Sequence, residues 1–218
     1  MDAQDSSSVD DALPHQVPGE SLTVDGRVAP SGGERPRRLV VVCGTGTEVG
    51  KTWVACALLR EWRRLGLHVA ARKPAQSYDV DEASGGAPSS PTDAERLAAA
   101  SGEGPADVCP PHRSYPAGLA PPMAAEALGR PAFCVADLVS ELRWPQERVD
   151  VGLVELAGGV ASPQAADGAG TELVERLLPD AAVLVADPGL GTINAVRLSL
   201  AALAPVLPRP EGTPAPVL

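Results

Sequence analysis

The run Val41-Val42-Cys43-Gly44-Thr45-Gly46-Thr47-Glu48-Val49-Gly50-Lys51-Thr52 constrains the fold of this chain more than any other feature. It reads as an apolar strand, a glycine-bearing loop and a helix opening on Gly-Lys-Thr. Small residues at 44 to 47 and Gly50 let successive backbone N–H groups turn inward, and the dipole of the helix beginning near Lys51 adds partial positive charge at the same point. Such a nest holds phosphate. Gly46, Thr47, Glu48, Val49, Gly50, Lys51 and Thr52 are the candidate contacts to a nucleoside triphosphate such as ATP, with Lys51 reaching the β- and γ-phosphates and the Thr52 hydroxyl holding Mg²⁺. Five residues separate Gly44 from Gly50, one more than the general G-x-x-x-x-G-K-[ST] pattern allows. The alternative, a glycine turn with a surface lysine, fits poorly with a strand before the loop and a helix after it.

A chain of 218 residues suits one α/β domain with a substantial core. The formal charge of −10 disfavours a nucleic-acid surface, which needs clustered Lys and Arg, but leaves room for small anions held by a local field. Cys43, Cys56, Cys109 and Cys134 have no metal-type spacing and read as reduced thiols. The N-terminus has no basic region leading into an apolar stretch, and no apolar run approaches the roughly 18 residues of a membrane span. The expectation is a soluble cytoplasmic protein with neither membrane nor nucleic acid as partner.

Residues 1–37 are rich in Asp, Ser, Gly and Pro and are expected to be a disordered extension. An α/β domain follows over 38–204, and 205–218 form a proline-rich tail. Within the domain, apolar or β-branched runs predict strands at Leu39–Cys43, Val69–Arg72, Val151–Glu155 and Ala181–Ala186. Helices are predicted at Thr52–Leu65, from Thr92 to near Gly102, at Pro122–Leu128, Val135–Leu142, Thr171–Leu178 and Asn194–Ala204. Thr92 with Glu95 forms a capping-box pattern. Residues 75–91 read as one long loop, of the kind that is functional or mobile. Alternating strands and helices point to a doubly wound, mainly parallel sheet, with ligands at the carboxyl ends of its strands.

Those ends carry a consistent set: the phosphate loop, Lys73, Glu155 and the turn from Gly189 to Asn194. Glu155 closes an apolar strand, where phosphate-loop enzymes hold Mg²⁺; an acidic residue on a sheet rim is the plainer account. Asp93 is either a second metal ligand or a carboxylate favoured by a helix N-terminus. Lys73 is either a counter-charge for a transferring phosphoryl group or a lysine snorkelling from a strand end. Ser77 is a loop serine, and His15, His68 and His112 form no ligand pattern.

The segments G-T-G-T-E-V-G-K-T, A-R-K-P-A-Q-S, D-A-E-R-L, V-E-L-A-G-G and D-P-G-L-G-T-I-N, in this order, resemble the dethiobiotin synthetases, over roughly residues 38–204. The long phosphate loop is what that family has. The resemblance implies a P-loop nucleoside triphosphatase fold working as a homodimer, with ATP and Mg²⁺ as cofactors and 7,8-diaminononanoate and CO₂ as substrates. It implies catalytic roles for Lys51 and Lys73, a metal set of Thr52, Asp93 and Glu155, and substrate contacts from Ser77. Gly191, Thr192, Ile193 and Asn194 match the segment that takes the substrate carboxylate across the dimer interface, a helix N-terminus suited to an anion.

Two departures accompany the resemblance. Leu156 replaces the first glycine of the usual V-E-G-A-G-G, so a bulky side chain is expected beside Glu155, impairing metal or carbamate binding. The family also continues beyond the last helix with an adenine-contacting part, so this chain is expected to be short at its C-terminus. A catalytically impaired nucleotide-binding relative is therefore the main alternative. A partition-type ATPase is a weaker one, since the second lysine such proteins carry at the start of the loop is replaced here by Gly44-Thr45-Gly46.

Overall fold

The structure is a computed structural model that describes residues 33–81, 87–88 and 90–207. Strand β1 (Arg38–Gly44) leads through the phosphate loop into α1 (Lys51–Arg64) and then to β2 (Val69–Arg72). Next come three two-residue strands, β3 (Gln76–Ser77), β4 (Val80–Asp81) and β5 (Ala87–Pro88), and helices α2 (Asp93–Ser101) and α3 (Pro105–Val108). Strand β6 (Ser114–Tyr115) precedes α4 (Pro121–Ala127) and α5 (Val135–Ser140). The chain continues through β7 (Val151–Glu155), β8 (Pro163–Ala165), β9 (Gly168–Ala169), α6 (Gly170–Leu177), β10 (Ala181–Val185) and α7 (Thr192–Leu203).

The central sheet has the order β10-β1-β7-β2 and every pairing in it is parallel. Alternation along the strands divides the core. Leu39, Val41, Cys43, Ala70, Val154 and Leu156 face one side, against α4, α5 and α6. Val42, Ala71, Leu153 and Val185 face the other, against Ala55 and Leu59 of α1, Leu97 of α2 and Val108 of α3. This is the two-sided burial that lets a parallel strand be apolar throughout.

The predicted strands and helices are present, with ends shifted by a few residues. The stretch read as one long loop differs. Gln76 and Ser77 pair in parallel with Ser114 and Tyr115, and Val80–Asp81 pairs with Ala87–Pro88 as an antiparallel hairpin. Pairings this short leave no hydrophobic period in the sequence. The expected extension over 1–37 lies outside the described residues as far as 32. Residues 33–37 run against the domain, the Gly33 and Arg37 amides donating to Trp144 O and Val149 O and the Arg35 guanidinium to Leu177 O and Leu178 O. Of the expected tail, 208–218 lie outside the described residues, while Val206 and Leu207 pack against the first core face. Among the described residues no helix is long and apolar enough to cross a membrane.

Candidate active site

The loop after β1 is built by its glycines and by what surrounds them. Gly50 has φ 95°, a left-handed conformation that an L side chain strains to adopt, and it stands as the N-cap of α1. At Gly44 a Cβ would lie 2.9 Å from both Lys51 Cδ and Val49 Cγ2, so the loop closes only over a residue without a side chain. Thr45 N–H donates to Val185 O, and Val160 N–H to Gly44 O, which fixes the loop to β10 on one side and to the turn after β7 on the other. Lys51 is only 6% exposed, and its ammonium donates to Gly46 O at 2.7 Å within the loop. Burial and then the neighbouring charge of Lys73 push its pKa below the usual lysine range.

Beside the loop, four sequence-predicted residues meet. Lys73 Nζ lies 2.5 Å from Glu155 Oε1 and 2.8 Å from Asp93 Oδ2. Thr52 Oγ1 lies 2.8 Å from Asp93 Oδ1 and 2.9 Å from Glu155 Oε1. Sheet order explains the meeting: β7 lies between β1 and β2, so Glu155 at its end sits between the loop and Lys73. Burial works against the charge on Lys73, but the two carboxylates hold its pKa above the usual range. Burial likewise opposes charge on Asp93, and Lys73 with Thr52 outweighs it, leaving that carboxyl low. Glu155, 0% exposed, is pushed up by burial even with Lys73 alongside.

A divalent cation suits this arrangement. The Thr52 hydroxyl has one proton and faces two carboxylate oxygens, so it can donate to only one of them. Glu155 Oε2 is buried with no hydrogen-bond partner. An all-oxygen set with two carboxylates matches Mg²⁺, which keeps several waters and takes one or two protein carboxylates.

These residues line a cleft of about 590 Å³, within the size range of small-ligand sites. Ser77 lies in its wall, its hydroxyl donating to Leu119 O at 2.5 Å. Gly191, Ile193 and Asn194 are elsewhere, lining a shallow hollow on the exposed side of α7 with Arg197, Leu198 and Ala201. No residue lines both the hollow and the cleft, and Thr192 opens α7 beside the hollow. The two sets of predicted substrate contacts therefore line different cavities of one chain.

The expectation for Leu156 is corrected. Its side chain is fully buried in the core face formed with α5 and α6 and is absent from the cleft wall. Successive residues on a strand point to opposite faces, so the residue after a cleft-facing Glu155 points away from the cleft. Its backbone still serves the site: Leu156 N–H donates to Val42 O, and Leu156 O lies 3.5 Å from Lys73 Nζ.

Two buried glutamines near the site were not singled out from the sequence, although Gln76 stands within the A-R-K-P-A-Q-S segment. Gln164, 2% exposed, accepts from Ala157 N–H at 3.1 Å and donates to Ala157 O at 2.7 Å, clamping the turn that follows Glu155. Gln76, 4% exposed, stands between β3 and the first turn of α2. An amide side chain can pair with any peptide group, so nothing in residue type or spacing marks these partners.

Comparison with known proteins adds identity to the geometry. A family model described as an AAA domain matches residues 38–205. The ATP-dependent dethiobiotin synthetase BioD of Rhodococcus jostii (strain RHA1) is 39% identical over 165 residues, covering 76% of this chain and 67% of the relative. The protein of the same name from Anaeromyxobacter dehalogenans (strain 2CP-C) is 41% identical over 169 residues, covering 76% and 70%. That from Caulobacter vibrioides (strain NA1000 / CB15N) is 42% identical over 168 residues, covering 74% and 72%.

Proposed function

This chain belongs to the ATP-dependent dethiobiotin synthetase family, and from that premise we propose that it closes the ureido ring of 7,8-diaminononanoate with CO₂ and ATP. The observation that carries the reading is the convergence of Lys73, Thr52, Asp93 and Glu155 within hydrogen-bonding distance at the mouth of the phosphate loop. In the reaction one amine takes up CO₂ as a carbamate. A carbamate oxygen attacks the γ-phosphorus and ADP leaves. The second amine then attacks the carbamate carbon of the carbamic-phosphoric anhydride, expelling phosphate and losing its proton as the ring closes.

Lys51 and the loop amides from Gly46 to Thr52 hold the phosphates. Lys73, kept protonated by two carboxylates, acts as a fixed positive charge toward the carbamate and the transferring phosphoryl group, preorganised before charge develops there. Ser77 spends its proton on Leu119 O, which leaves its oxygen free to accept from a substrate amine. Thr52, Asp93 and Glu155 would hold Mg²⁺, which supplies charge neutralisation to the phosphates.

The carboxylate end of the substrate belongs with Gly191, Thr192, Ile193 and Asn194. Because their hollow is separate from the cleft, the working unit is a homodimer in which the partner supplies that end of the site. The exposed apolar side chains of Leu190, Ile193 and Leu198 beside it support such an interface. Four free cysteines support a reducing, cytoplasmic setting.

The test supplies purified protein with diaminononanoate, bicarbonate and MgATP and follows dethiobiotin by mass. Product from wild type and none from Lys51→Ala supports the reading. ATP hydrolysis without dethiobiotin, or no turnover, overturns it.

A further inference from the structure

Gln76 has no assigned role, yet it ties together the two segments that bring Lys73 and Asp93 to the same point. Its Oε1 accepts from the Ala94 N–H at 2.9 Å, a buried contact to the residue after Asp93. Its Nε2 donates to Ser114 Oγ at 2.8 Å, across the short β3–β6 pairing in which Gln76 and Ser114 are register partners. The side chain is 4% exposed and lies in the cleft wall. Lys73 lies three residues upstream, its own amide fixed to Val108 O at 2.8 Å.

We propose that Gln76 is a positioning residue for the metal-binding carboxylate Asp93. It anchors the first turn of α2 to the strand that follows Lys73, and so sets where Asp93 stands relative to Thr52 and Glu155. The inference rests on the proposed assignment of Thr52, Asp93 and Glu155 as metal ligands. The capping box at Thr92 fixes the helix end internally but does not tie it to the sheet. Among the described residues, the Gln76 side chain makes the hydrogen bond that carries Ala94 N–H across to β3. Losing it leaves that buried donor unpaired and frees the turn that carries Asp93 to shift. Outer partners of metal ligands typically matter by about 10–100-fold in metal affinity.

The experiment measures Mn²⁺ binding by electron paramagnetic resonance in the presence of ADP, for wild type, Asp93→Asn, Gln76→Met and Ser114→Ala. Binding of a fluorescent ADP in EDTA is measured in parallel. Methionine keeps the length and volume of Gln76 and removes both polar groups. The expected result is a loss of Mn²⁺ affinity of roughly 10–100-fold in Gln76→Met, with a smaller loss in Ser114→Ala. Metal-free ADP affinity, which depends on the phosphate loop, stays within twofold of wild type; a general loss of structure would move both readouts. Equal Mn²⁺ affinity in folded Gln76→Met and wild type overturns the inference. If Gln76→Met does not fold, unchanged Mn²⁺ affinity in Ser114→Ala overturns it. Wild type that binds no Mn²⁺, or binds it equally well as Asp93→Asn, overturns the metal assignment and the inference with it.

Discussion

Replacing Leu156 by glycine recreates the V-E-G-A-G-G pattern of the resemblance, and the burial of the leucine makes the change harmful. The leucine side chain is 0% exposed and belongs to the core face that includes Val41, Val154, Val160, Leu173 and Val174. Its Cδ1 reaches to within 3.3 Å of where a Cβ on Gly170 would stand, so the space it fills is bounded on the helix side. Truncating a buried leucine to alanine costs about 2–5 kcal/mol, and glycine in place of alanine adds about 0.5–1 kcal/mol of backbone entropy. Leu156→Gly is therefore expected to lose roughly 3–6 kcal/mol, against a total stability of about 5–15 kcal/mol for a domain. With a urea slope near 2 kcal/mol/M, the midpoint falls by roughly 1.5–3 M. Urea titration followed by tryptophan fluorescence measures this directly, with Leu156→Met as a volume-conserving control expected to cost less than about 1.5 kcal/mol. An unchanged midpoint in Leu156→Gly, together with faster dethiobiotin formation, would refute the assignment of this side chain to the core.

Lys73→Met leaves Glu155 buried without its main counter-charge and is expected to cost about 3–5 kcal/mol at neutral pH. Glu155 already sits above the usual carboxyl range and rises further in the variant. A raised folded-state pKa gives stability that is present at low pH and lost as pH rises through it, so the deficit should be smaller at pH 5 than at pH 8; equal deficits in urea titrations at both would count against the pairing. Burial opposes the charge of Asp180, but the Leu39 amide and the Arg38 and Arg35 guanidinium groups outweigh it and hold the carboxyl low. Its contribution is present above the unfolded value and lost as pH falls through the folded one. Asp180→Asn should therefore be less stable than wild type at pH 7, the gap in melting temperature closing below about pH 4. Burial pushes the Cys43 thiol up to about 11 and that of Cys109 to about 12, and Cys56 is buried too. At pH 7.5 a thiol reagent should modify Cys134 first in the folded protein, with the other three following only on unfolding; mass mapping of the labelled peptides checks the order.

Much of the fold was legible because its signals are local. The strands are apolar runs, and the Gly-Lys-Thr loop is contiguous. The Thr92–Glu95 capping box forms in full, the Thr92 hydroxyl accepting from Glu95 N–H and the Glu95 carboxylate from Thr92 N–H. The family resemblance drew on five such segments, and the relatives bear it out. Lys73, Asp93 and Glu155 could be nominated separately because each closes a strand, follows one or opens a helix. What local signals cannot carry is a pairing between residues far apart in sequence. Gln76 meets Ser114 across 38 positions, and a two-residue parallel ladder leaves no periodicity to find. Gln164 binds a peptide group, which every residue possesses. The direction of Leu156 was available from strand alternation, and comparison with a glycine motif pointed the other way: a motif reports which residue is customary, and the pleat decides where its replacement goes.

The pairing of Val42 with Glu155 has a consequence for how the chain finds its fold. Were β7 to slip by one residue against β1, Glu155 would turn into the apolar face and Leu156 would stand in the cleft. That error would strand a carboxylate away from Lys73 and leave a cavity among the helices at once, so the slipped form is unstable on both sides of the sheet. The carboxylate that serves the site thus also guards the alignment of the central strands, and a chain that has folded correctly has already assembled its charged centre.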